Sequence, residues 1–297
     1  MNFKTRRGQN MKRLRDSQLK LLWTARIDYS QGSRVEPHMH SDYDQLLVVL
    51  SGQGQAVIGG QSCEAKEGAA FLFLKGVSHS FRFTSSAITL DYKFQLLDGQ
   101  LRDCLEEAEP SCLCGGTHLA ELKRWHKMSL HQMRNPKAHH PLGIESGLKG
   151  TLVTMLLGEQ AGWSDSYAAL PAAGDDEPIV RYVKTHFSDK ITLDMLARQF
   201  GFNPNYLIKR FSDKTGMTPI QYLQEIRLDK AKEYLEFTSL PISEVAEKVG
   251  WTQEYFSKIV KKRLGQSPSQ YRESLMSAVG KDIILDEDFA NVWRIVP

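Results

Sequence analysis

His38 and His40 flank Met39, and His79 follows in a later β-rich stretch. Residues two apart share one face of a strand. His38 and His40, joined by His79 from a neighbouring strand, can therefore close a facial three-nitrogen site for a divalent metal. Asp44 and Gln45 come just after the pair and complete the candidate pocket set. The same imidazoles serve equally as hydrogen-bonding groups of a plain ligand pocket, and that is the reading adopted, with metal as the alternative.

A second set has chemistry of another kind. Asn205, Ile208 and Lys209, then Thr252, Gln253, Glu254, Ser257 and Lys258, are candidates to read base edges. Lysine donates to guanine O6 and N7, asparagine brackets adenine, and glutamate accepts from cytosine N4. Asn203, Arg210, Lys214, Lys261, Lys262 and Arg263 flank them and suit phosphate contacts.

The elements that position this second set are written twice. Gly216-Met217-Thr218-Pro219-Ile220-Gln221-Tyr222 returns 49 positions later as Gly265-Gln266-Ser267-Pro268-Ser269-Gln270-Tyr271. Leu193, Leu196, Ala197 and Phe200 form the apolar stripe of a short helix, and Ile242, Val245, Ala246 and Val249 repeat it. Gly201 and Gly250 stand where a helix ends in a left-handed residue. Asn203-Pro204 and Thr252 then open second helices, expected to bury Tyr206, Leu207 and Phe211, or Tyr255, Phe256 and Val260. Helix, glycine turn, helix is the helix-turn-helix plan, whose second helix enters the major groove. Between the copies, Thr218-Pro219-Ile220-Gln221 is a capping box opening a helix that runs to about Phe237. Its length of about 30 Å suits adjacent major-groove faces about 34 Å apart.

Residues 177–274 resemble the DNA-binding domain of the AraC/XylS family of transcription regulators, on both copies of the Gly-x-(Ser/Thr)-Pro-x-x-Tyr signature. One departure is that Gly250 to Tyr255 is a residue shorter than the family's usual second unit. The resemblance implies a double-stranded DNA partner at promoter half-sites, a small-molecule effector, a homodimer and contact with RNA polymerase.

The N-terminal half reads as strands. Gln45 to Leu50 ends at Ser51-Gly52-Gln53-Gly54, and Gln55 to Ile58 meets a Gly59-Gly60 hairpin turn. Ala70 to Leu74, His79 to Phe83 and Ile88 to Phe94 follow, the spacing of a small antiparallel barrel or jelly roll. With Leu46 to Gly54 this resembles the cupin barrel that precedes the DNA-binding domain in many AraC-type regulators. Metal-binding cupins usually carry Glu after the histidine pair, where this chain has Asp44 or Gln45, and a proline before the last histidine, where it has Lys75. Helices are expected over Leu119 to Met133 and Gly147 to Leu157. The resemblance makes this hairpin the place where such sensors pair, and capping the barrel is the other reading.

The fold class expected is α+β: a cupin-like antiparallel β-barrel with a helical hairpin, linked to an all-α seven-helix domain with two helix-turn-helix units. The divisions are a flexible basic arm (1–16), an effector-binding domain (17–160), a linker (161–176), the DNA-binding domain (177–274) and a C-terminal extension (275–297). Net charge is only +3, but residues 177–274 hold 16 Lys+Arg against 12 Asp+Glu, compatible with phosphate contacts. Cys63, Cys104, Cys112 and Cys114 show no disulfide framework and read as reduced thiols. No apolar run approaches the ~18 residues of a membrane span, and the basic start lacks an apolar h-region, so a cytoplasmic protein without membrane partners is expected. The function expected is a sequence-specific transcription regulator, not an enzyme. The alternative is a metal-dependent cupin enzyme or metal-sensing regulator using His38, His40 and His79.

Overall fold

The computed structural model of the chain describes residues 18–157, 177–275, 283–285 and 295–296. The expected arm (1–16) and linker (161–176) lie outside these residues. Two compact units emerge: Met1–Ala168 together with Ser277–Pro297, and Ala169–Met276.

The first unit is a pair of antiparallel sheets. Its strands are β1 (Leu19–Tyr29), β2 (Arg34–His38), β3 (Asp44–Ser51), β4 (Gly54–Ile58), β5 (Gln61–Ala65), β6 (Ala69–Phe73), β7 (His79–Phe83), β8 (Ala87–Leu96) and β9 (Ser111–Leu113). Two short strands from the C-terminal extension, β10 (Ile283–Ile284) and β11 (Ile295–Val296), join them. One sheet runs β10-β1-β8-β3-β6-β9 and the other β11-β2-β7-β4-β5. The expected turn at Gly59-Gly60 joins β4 to β5, both glycines at positive φ, as a tight hairpin turn demands. Inward residues of both sheets, among them Trp23, Leu47, Val49, Phe71, Phe73, Phe81 and Phe83, form one core.

Outside the first sheet lie α1 (Gly99–Glu107), α2 (Gly116–Arg134) and α3 (His140–Leu157). The Tyr92 hydroxyl donates to the Leu122 carbonyl, and the Leu21 amide donates to Glu145 Oε1 at 3.1 Å. These contacts fasten α2 and α3 to β8 and β1. α3 starts seven residues before the expected Gly147, because Ile144 and Glu145 are also buried against the sheet.

The second unit holds seven helices among the described residues: α4 (Pro178–Thr185), α5 (Leu193–Phe200), α6 (Pro204–Thr215), α7 (Pro219–Phe237), α8 (Ile242–Lys248), α9 (Gln253–Leu264) and α10 (Pro268–Leu275). The Thr218–Gln221 capping box forms in full at the start of α7. Gly201, Gly216, Gly250 and Gly265 all take the left-handed conformation, so the paired helix ends are built alike. Each copy has its own core. Ile179, Val183, Leu196, Leu207, Phe211 and Leu223 make one, and Leu228, Ala231, Leu235, Val245, Phe256 and Val260 the other. α7 contributes to both and thereby sets their spacing.

Candidate functional site

In the first unit, β2 and β7 pair with His38 opposite His79. β2 ends at His38, so His40 sits beyond the strand and not on its face. The Gly76 amide holds its backbone instead, donating to the His40 carbonyl at 2.8 Å. The three imidazoles still converge. Ring centres lie 4.3 Å apart for His38 and His79, and 4.9 Å for His40 with either partner. One ring nitrogen from each falls within 4.8 Å of the others.

Their partners fix the tautomers. His79 Nδ1 faces the Val77 carbonyl at 3.1 Å, and His38 Nδ1 the Glu36 carbonyl at 2.9 Å. A carbonyl only accepts, so each Nδ1 carries a proton. His40 Nε2 meets Gln45 Oε1 at 2.9 Å, while Gln45 Nε2 donates to Asp91 Oδ2 at 3.0 Å. His79 Nε2 is buried with no hydrogen-bond partner. Burial first, then the nearby His38, His40 and Lys93, pushes the His79 imidazole down to about 3, so it is neutral. Three imidazoles braced by oxygen acceptors, with His79 neutral, are a donor set that suits a divalent ion.

Asp44 departs from the sequence expectation. Its buried carboxylate pairs with Arg102 at 2.8 Å and accepts from the Lys75 amide at 2.9 Å and the Leu96 amide at 3.3 Å. It braces α1, while Gln45, one residue on, faces the histidines. Adjacent strand residues point to opposite faces, and β3 is buried on both, so no polar alternation marked which side was inner. Four residues at this site escaped the sequence reading. Lys93 Nζ lies over the Trp23 and Tyr43 rings, and Asp91 is buried beside it. Two charges spaced i, i+2 among Leu90, Tyr92 and Phe94 were the available signal.

In the second unit, Asn205, Lys209, Thr252, Gln253, Glu254 and Lys258 are exposed, and Ile208 and Ser257 half-buried. Equivalent positions of the two copies thus have matching exposure. The Asn203 and Thr252 side chains accept from the Asn205 and Tyr255 amides, capping α6 and α9. Lys214, Lys261 and Lys262 are exposed. Arg210 pairs with Glu177 and Arg263 with Glu225, so either arginine must exchange a carboxylate to take a phosphate.

Tyr206 and Tyr255 correct another expectation. They are 52% and 42% exposed rather than buried. Each ring leans on an aromatic neighbour, Phe202 or Trp251, and Gln224 Nε2 donates to the Tyr255 hydroxyl at 3.3 Å. The short apolar stripes close with Leu207 and Phe211, or Phe256 and Val260, leaving the tyrosines on the outward face.

A helix-turn-helix domain family matches residues 196–274, and a cupin domain family matches residues 25–92. Both matched domains are similar to those of AraC-type transcription regulators. Among relatives, it is 33% identical over 96 residues to the bifunctional transcriptional activator/DNA repair enzyme AdaA of Bacillus subtilis, spanning 32% of this chain and 46% of that protein. It is 24% identical over 260 residues to the HTH-type transcriptional regulator YfiF of Bacillus subtilis, spanning 81% of each. The C-terminal domain of AraT, a response regulator from Geobacillus stearothermophilus, is 41% identical, with 36% of this chain and 93% of that one covered at a TM-score of 0.33. The chain spans less than half the length of the curated AraC-type relatives that match its helical domain alone.

Proposed function

We propose that this chain is an AraC-type, sequence-specific DNA-binding transcription regulator whose promoter binding responds to a small molecule held in the cupin barrel. The carrying observation is the pair of helix-turn-helix units with matched outward residues, held on one rod of 19 residues, about 28 Å long. That length suits two reading helices in successive major grooves. Asn205, Lys209, Glu254 and Lys258 take base edges in this reading, and Lys214, Lys261 and Lys262 phosphates. Among the described residues no helix is long and apolar enough to cross a membrane. Action in the cytoplasm as a homodimer, paired through α2 and α3 and contacting RNA polymerase at the promoter, belongs to the same proposal.

Control requires that the ligand bind more tightly to one arrangement of the paired chains than to another. His38, His40, His79 and Gln45 form the receiving surface. Selection of bound duplexes from a random pool by the full chain tests the proposal. Two short motifs about one helical turn apart are expected, and equal retention of all sequences refutes specific reading.

One observation favours a metal as effector or co-ligand. His79 Nε2 is buried, neutral and without a hydrogen-bond partner, as a metal ligand is before loading. His38, His40 and His79 would hold the ion, which would supply a Lewis-acidic anchor for a ligand oxygen. Stoichiometric metal in purified protein, and loss of the effector response on chelation, would support this version.

A further inference from the structure

Residues 122–144 hold five Lys or Arg and no Asp or Glu, in a chain whose net charge is only +3. Arg124, Lys127, His131 and Arg134 fall at i, i+3, i+7 and i+10 of α2, which puts them on one face. Arg124, His131 and Arg134 are exposed and Lys127 is half-buried. The other face is docked. Leu122 is fully buried with its carbonyl taking the Tyr92 hydroxyl, and Trp125 Nε1 donates to Thr151 Oγ1 of α3 at 3.1 Å. That docking turns the basic stripe to solvent.

The surface continues past the helix end. The Asn135 amide donates to the His131 carbonyl, and the Lys137 amide to Gln132 Oε1 at 2.9 Å, which fixes the turn before α3. The His140 ring centre lies 5.7 Å from that of His131 and 4.9 Å from that of His139. Exposed Lys137 and His139 thereby extend the stripe. A helix C-terminus attracts cations to its last turn, which accounts for His131 and Arg134. Arg124 and Lys127 lie two turns or more before it, beyond that field. Like charges at these spacings weaken a helix, and an external anion would relieve them. Among the described residues no carboxylate pairs with Arg124, Arg134 or Lys137. Arg124 to Arg134 spans about 15 Å, the axial run of about four base pairs of duplex.

We propose that the α2 stripe and the turn after it form a second DNA contact, taking phosphates of the duplex that flanks the site read by the helix-turn-helix units. The inference rests on the chain binding DNA, and adds a surface that is indifferent to sequence. One chain joins the two units, so duplex held by one is at high local concentration for the other. Leu122 and Trp125 face inward, so the stripe brings no large apolar side chain to insert into lipid. Pairing of two chains about this stripe would set like charges against one another, so it lies outside that contact.

The test is binding of the full chain to a duplex carrying its selected motifs, either trimmed to them or extended by about two helical turns of random sequence on each side. At low salt the flanks should tighten binding about tenfold or more. Arg124→Gln with Lys127→Gln and Arg134→Gln should remove that gain and flatten the log–log salt dependence on the extended duplex by about two to three, with the unfolding midpoint unchanged. Arg124→Lys with Arg134→Lys should keep the gain, because a phosphate accepts either cation. If the triple variant does not fold, Arg134→Gln alone decides, with a slope change of about one. An unchanged slope, or flanks that add nothing to the unaltered chain, overturns the proposal. Retention on phosphatidylglycerol vesicles that the triple variant loses, while its DNA binding is unchanged, would assign the stripe to a membrane instead. No binding of the unaltered chain to any duplex would remove the regulator reading itself, and the stripe's role with it.

Discussion

Arg227 is the residue whose loss should disturb the DNA-binding unit most per atom removed. It sits on α7, 8% exposed, between the two helical cores. Its Nε donates to the Phe187 carbonyl at 2.6 Å, Nη2 to the Asp189 carbonyl at 2.7 Å, and Nη1 to the Gly250 carbonyl at 2.9 Å. One guanidinium thus ties the loop after α4 to the turn of the second helix-turn-helix. Gly250 is fitted to this contact: a Cβ there would meet the Ser188 carbonyl oxygen at 2.4 Å and Arg227 Nη2 at 2.8 Å. Arg227→Met keeps the stem and removes all three donors. Each stranded carbonyl costs about 1–3 kcal/mol when buried. Water reaching some of them lowers the total to about 3–5 kcal/mol, a large part of the ~5–15 kcal/mol that stabilises a domain. Amide hydrogen exchange on the full chain reads this locally. Helices α4 to α10 should lose protection by two to four orders of magnitude, about 1.4 kcal/mol per tenfold, while β1, β3 and β8 keep theirs. Gly250→Ala should act in the same direction. A loss below about 1 kcal/mol, or equal loss in barrel and helices, would refute the clamp.

Further outcomes are expected at both sites. Lys209→Ala should change preference at one base pair by about 1–3 kcal/mol in a binding selection, whereas uniform weakening on every sequence would assign Lys209 to phosphate. Replacing Lys261 and Lys262 with alanine should flatten the salt dependence of DNA affinity by up to about two counterions, and an unchanged slope would place both off the DNA. His38→Ala with His40→Ala should abolish the effector response in a gel-shift titration yet spare operator binding; lost DNA binding with an unfolded barrel would make the histidines core groups instead. Acid stability offers a signed test. His79, depressed to about 3, contributes stability present above its unfolded pKa of about 6.5 and lost as pH falls. Asp91, raised to about 7, does the opposite, because the folded state takes its proton first. Asp91→Asn should therefore steepen the acid loss between about pH 6.5 and 5 by about 2 kcal/mol in urea melts, and parallel profiles would count against the buried carboxyl.

What the sequence determined was whatever neighbours along the chain decide. Gly201, Gly216 and Gly265 end helices, Thr218 and Gln221 open one, and Gly59-Gly60 turns a hairpin. Each acts through capping or left-handed φ within a few residues, and the 49-residue duplication restated most of it. The three histidines were legible for the same reason, since few residue types do their chemistry. Tertiary structure decided the rest. Asp44 and Gln45 differ by one position and face opposite sides, which only the register of β3 between β6 and β8 assigns. β5 and β9 were unread in the sequence, and β10 and β11 lie in an extension that carried no account; all four gain their identity from partners rather than from their own pattern. Tyr206 and Tyr255 resemble core residues in type but stand where each narrow stripe has already closed. Lys93 and Arg227 look like ordinary surface charges in a string of letters. Their burial depends on long-range pairing, because whether a charge meets water or an enclosed acceptor is settled by segments distant in sequence.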